Sequence, residues 1–101
     1  MKYIRVRPDQ GIEVIEAEAI PSLHRLQQSN MCAYSRFSDP RITIVQTQKG
    51  LAKPLTAIGP KGEALHGELF IIGLRNIISR IEFVGLTDEQ IGIVQTELKL
   101  N

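Results

Sequence analysis

Gly67-Glu68-Leu69-Phe70-Ile71-Ile72-Gly73 decides the fold of this chain. A short, unbroken apolar run bounded by glycines predicts a strand buried on both faces, because an amphipathic strand would alternate and a buried helix would run longer. This strand is read over Glu68–Ile72. If it is central, Phe70→Ala costs roughly 3–5 kcal/mol.

Downstream, Leu74–Arg80 fits both a short helix and a loop, and Ile81–Val84 reads as an edge strand. Thr87 then has Gln90 three positions on, which is capping-box spacing. Asp88 and Glu89 fall beside the positive end of the helix dipole. Ile91, Val94 and Leu98 follow at i, i+3 and i+7, a stripe expected to lie against Glu68–Ile72. Gly92 weakens this helix by about 1 kcal/mol relative to alanine.

Upstream, Tyr3–Arg7 alternates, with Ile4 and Val6 on one side and Tyr3, Arg5 and Arg7 on the other. That is the period of a half-buried strand. Pro8-Asp9-Gln10-Gly11 is turn chemistry, and Ile12–Glu16 completes a predicted hairpin. Pro21 suits a helix N1 position. Ile20, Leu23 and Leu26 share one face of a short helix ending near Ser29-Asn30. Met31–Phe37 alternates again, Ser38-Asp39-Pro40 turns, and Ile42–Gln48 is rich in residues that fit a pleated surface. Pro54, Gly59-Pro60 and Gly62 punctuate residues 51–67, which predicts a loop with one extended piece around Pro54–Ile58. The expectation is one α+β domain over residues 1–101: a mainly antiparallel sheet of four or five strands with two helices packed on one face.

The composition bounds function without specifying it. The chain has 101 residues, 43% hydrophobic and 23% charged, with net charge +1. Residues 1–50 carry seven Lys/Arg against five Asp/Glu, and residues 51–101 carry five against six. Neither half has the basic bias of a duplex-binding domain. With one cysteine, Cys32, no internal disulfide forms. No apolar run approaches the ~20 residues of a membrane span, and Met1–Gly11 has no long apolar segment of a signal peptide. The expected location is the cytoplasm, off the membrane.

Catalytic chemistry finds little support. No basic residue adjoins Cys32 to lower its pKa. His24 reads as a solvated residue, and His66 with Glu68 supplies too few ligands for zinc. Gly59-Pro60-Lys61-Gly62 lacks P-loop spacing, and Glu13, Glu16 and Glu18 read as a solvated acidic edge. No cofactor, metal or catalytic residue is expected. The one candidate binding set is Tyr3, Arg5 and Arg7 with Tyr34 and Arg36 of the third strand. On an uncovered sheet face these rings could stack on bases and the guanidiniums grip phosphate or carboxylate. The alternative is a solvated face with the arginines paired to Glu13 or Glu16.

Leu23-His24-Arg25-Leu26-Gln27, Lys53-Pro54-Leu55, Gly67 to Gly73, Phe83 and Leu86-Thr87-Asp88-Glu89-Gln90-Ile91 together resemble an uncharacterised family of small bacterial, phage and prophage proteins, domain-of-unknown-function family 3846. Leu74–Glu82 departs from its pattern, as does Thr56, where that family often has Asn. The resemblance implies an α+β fold and a mobile-element setting, and no reaction. The expected function is therefore a non-enzymatic interaction protein, an accessory factor acting by binding a host protein. The alternative is a small module capturing a nucleotide or similar anion on the Tyr/Arg face or near Lys61 and His66, and single-stranded nucleic acid stays open as a partner. Homodimerisation through an edge strand stays open.

Overall fold

The computed structural model describes residues 1–18, 31–34, 37–47, 53–78 and 80–100. Its main sheet is antiparallel. The strands are β1 (Lys2–Arg7), β2 (Gly11–Glu16), β3 (Met31–Tyr34), β4 (Ile42–Thr47), β7 (Leu69–Ile77) and β8 (Arg80–Val84). They form a six-stranded sheet whose path runs β2-β1-β7-β4-β3, with β8 joined to β7. The apolar run at position 70 is thus the centre of the sheet. β1 lies on one side, with Ile4 opposite Ile71, and β4 on the other, with Ile44 opposite Ile71.

β7 runs on through Leu74–Ile77, where the sequence left helix and loop open. It keeps a partner because β8 takes over where β1 stops: β1 pairs with Leu69, Phe70 and Ile71, and β8 with Gly73 through Ile77. Glu82, Phe83 and Val84 therefore face β7 as part of a hairpin.

Residues 53–67 contain the extended piece expected around Pro54–Ile58, as a strand, and a second strand that was not expected. β5 (Leu55–Ile58) and β6 (Ala64–His66) form a hairpin, and β9 (Lys99–Leu100) pairs with β5 to complete a three-stranded sheet. Gly59-Pro60-Lys61-Gly62 is the hairpin's turn. Gly59 N–H donates to the Glu63 carbonyl at 2.8 Å, and Gly62 takes φ +85°, open to glycine at little cost. The punctuating residues keep both strands short, four and three residues, and form the turn between them.

Helix α1 spans Asp88–Glu97. Its capping box is formed in both directions: Gln90 N–H donates to Thr87 Oγ1 at 3.1 Å, and Thr87 N–H to Gln90 Oε1 at 2.9 Å. The helix stops at Leu98, whose φ −85° and ψ 130° are extended and lead into β9. Lys2 pairs with Asp88 at 2.8 Å, and Ser38 N–H donates to Glu97 at 2.8 Å, so α1 is tied to β1 and to the segment before β4.

One large apolar cluster joins Ile4, Val6, Ile42, Ile44, Leu69 and Ile71 of the main sheet to Ala57 and Leu65 of the small sheet and to Ile91, Val94 and Leu98. The expected helical stripe is therefore packed as read. The layer on this face is one helix and a second sheet among the described residues, where two helices were expected; the other expected helix, at residues 20–30, lies outside them.

Gly92 has nothing within 4 Å of the position a Cβ would take. Gly92→Ala is expected to raise unfolding free energy by about 1 kcal/mol, since it adds helix propensity and meets no neighbour. Urea unfolding with an unchanged slope measures this, and a loss of stability would contradict it.

Candidate functional site

The alternation of β1 sends Arg5 and Arg7 to the face opposite Ile4 and Val6, and β2 brings Glu13 opposite Arg5. Glu13 receives both guanidiniums. Arg5 Nη2 donates to Oε2 at 3.0 Å, and Arg7 Nη2 to Oε1 at 2.6 Å. The bonds from Arg7 and then Arg5 hold the Glu13 carboxyl below its ordinary pKa. The three side chains are 32%, 39% and 33% exposed, which leaves the cluster within reach of solvent. Two cations share one anion here. Arg5 Nε and Arg7 Nε are buried with no acceptor among the described residues.

Tyr3 is not part of an exposed surface. It is 7% exposed and belongs to a second apolar cluster with Val45 and Ile72, against which Ile15, Ala17, Phe70 and Phe83 pack. Its ring lies 6.4 Å from that of Phe70, tilted by 41°, an arrangement suited to aromatic packing. This face of the sheet is thus buried and apolar at the Tyr3 end, and charged and partly exposed at the Arg5–Arg7 end.

Tyr34 falls in the other row of the sheet. It pairs with Ile44, Ile44 with Ile71, and Ile71 with Ile4. Tyr3, Arg5 and Arg7 occupy the alternate positions of β1. Because side-chain direction reverses at every residue of a strand, an offset of one position separates the sets. Arg36 lies outside the described residues. By register, then, Tyr34 is outside the row of Tyr3, Arg5 and Arg7, and the structure brings Arg5 and Arg7 together with Glu13.

His66 and the Lys61 backbone are held by hydrogen bonds within the fold, and His24 lies outside the described residues. His66 Nδ1 lies 3.0 Å from the Lys53 carbonyl, and its backbone N–H donates to Gln46 Oε1 at 3.1 Å, joining the small sheet to β4. Lys61 N–H donates to Glu63 inside the β5–β6 turn. Among the described residues no group of three or more His, Cys, Asp or Glu side chains is placed to hold a metal ion. No helix among them is long and apolar enough to cross a membrane.

The β7–β8 hairpin supplies a feature that the sequence reading did not single out. The β4 side of β7 is paired up to Gly73, with one further bond from Leu74 N–H to the Arg41 carbonyl. Beyond that point β7 has β8 as its described partner, so residues 74–77 and 80–82 form a two-stranded arm. Arg75 and Glu82 pair across it at 2.7 Å. Ile78, in the connection between the strands, is 95% exposed. The available sequence signal was Ile77-Ile78 between Arg75 and Arg80, which alternation alone does not assign to a tip.

No family model, no curated protein and no solved structure matches the chain.

Proposed function

We propose that this is a small non-enzymatic protein that works by binding another protein, and that the β7–β8 arm is its contact. The observation that carries this reading is Ile78, a large apolar side chain 95% exposed on a ribbon that reaches past β1 and β4. A single exposed apolar residue on a flat surface is ordinary. On a two-stranded projection it can enter a pocket, and such anchors carry a large share of interface energy. The family resemblance supports a role as a phage or mobile-element accessory factor that binds a host protein in the cytoplasm.

Ile78→Asp is expected to leave thermal unfolding unchanged, since the side chain packs on almost nothing. It should weaken partner binding by about thirtyfold or more, the effect of removing an interface anchor. The measurement is mass-spectrometric identification of what tagged wild type and Ile78→Asp retain from a host lysate, followed by titration of the retained protein. A partner held equally by both removes the arm from the reading.

A second reading, capture of a nucleotide or similar anion, is favoured by the two guanidiniums that share Glu13. A thermal-shift screen against nucleotides and cyclic dinucleotides distinguishes the two. A saturable shift with nothing retained from lysate favours capture.

A further inference from the structure

We propose that Arg5, Arg7 and Glu13 form an oxyanion site that the protein keeps filled with its own carboxylate, and that a phosphate group binds there by displacing Glu13. The inference rests on the anion-capture reading and adds how the site is occupied and exchanged. Two guanidiniums present ten N–H donors in planar forks, and Glu13 accepts through one Nη2 from each. Neither arginine makes the side-on Nε/Nη fork that suits carboxylate and phosphate. Both Nε–H groups are left buried without an acceptor among the described residues, an arrangement that costs free energy for as long as it lasts.

A phosphate dianion corrects both deficits. It matches the two positive charges, which Glu13 alone leaves half neutralised, and it brings more acceptor oxygens than one carboxylate. The arginines are 32% and 39% exposed, so their side chains can turn to present the Nε edges. Glu13, 33% exposed, is released toward water rather than into an apolar interior. Phe70 stands opposite Arg5 in the register, on the same face, and offers a ring beside the phosphate position. A free phosphate ion and the phosphate of a nucleotide would make the same contacts with the arginines. Only the nucleotide would also use Phe70.

Inorganic phosphate and a nucleoside monophosphate are titrated into wild type and Glu13→Gln, at constant ionic strength against chloride, while the Arg Nε–H resonances are followed by NMR. Saturable shifts of Arg5 and Arg7 Nε–H are expected in both proteins, with a dissociation constant about tenfold lower in Glu13→Gln, because the internal competitor has lost its charge. Arg7→Gln should abolish the shifts. Tighter binding of the monophosphate assigns the site to nucleotides, and equal binding assigns it to the free ion. Binding that is no tighter in folded Glu13→Gln overturns the displacement and leaves anion capture standing. No saturable shift in wild type overturns both.

Discussion

Replacing Ile71 with alanine is expected to lower the unfolding free energy by about 2–5 kcal/mol, the range for a large aliphatic side chain lost from a packed core. Ile71 is fully buried, at 0% exposure, and sits in the row Ile4–Ile71–Ile44 at the middle of the main sheet. Its face meets the small sheet and α1, so no neighbour can collapse into the void without disturbing a second layer. A domain of this size has about 5–15 kcal/mol in all, and the variant should unfold at markedly lower urea concentration. Phe70, its neighbour in the sequence, is half-buried on the other face beside Tyr3. Phe70→Ala should therefore cost less than Ile71→Ala, and less than the roughly 3–5 kcal/mol that full burial implied. Urea unfolding of the two variants side by side is the check. A cost below about 1 kcal/mol for Ile71→Ala would contradict its central position.

Gly73→Ala is the second large effect. Gly73 is the residue at which β7 exchanges β1 for β8. A Cβ there would stand 2.8 Å from the Gly85 carbonyl oxygen and 3.1 Å from both the carbonyl oxygen and Cγ2 of Val84. Two of these are backbone atoms. They are held in place because the next residue, Leu86, donates its N–H to the Lys2 carbonyl at 2.7 Å. Crowding of this kind costs about 1–3 kcal/mol. Restricting the unfolded chain recovers only about 0.4–1 kcal/mol. The net result is destabilisation, with loss of the β8 amide protection seen by hydrogen exchange. Gly92→Ala, the same chemical change at an open helical position, should move stability the other way. If both variants move together, the close approach at Gly73 is not present in solution.

The contrast between these glycines shows where the sequence was readable. Gly92 was assigned from its place in a helical pattern, and that pattern held. Gly73 looked like the end of a strand, because a glycine after an apolar run is turn punctuation in most contexts. The strand continues because β8 pairs with its second half, a contact that local preference does not encode. The same reasoning applies to Gly59-Pro60-Lys61-Gly62. These residues break regular structure locally, and pairing on either side made them the turn of a hairpin. Arg5 and Arg7 were legible as outward residues of β1. Their common partner was one of two glutamates considered, and the register of β1 with β2 selected Glu13.

What the sequence determined alone was local: the alternation of β1, the Ile, Val and Thr content of β4, the apolar centre of β7, the two-way cap at Thr87 and Gln90, and the buried stripe Ile91, Val94 and Leu98. Each rests on a side-chain period or a hydrogen bond between residues close in the chain. The tertiary structure decided what depends on partners far apart in the chain. It set the offset that parts Tyr34 from the row of Tyr3, placed β9 beside β5 and drew out the arm that carries Ile78. It also set two guanidiniums on one carboxylate. A strand repeats every two residues whichever neighbour it meets, so its period reveals which residues share a face, and only the pairing establishes what that face meets.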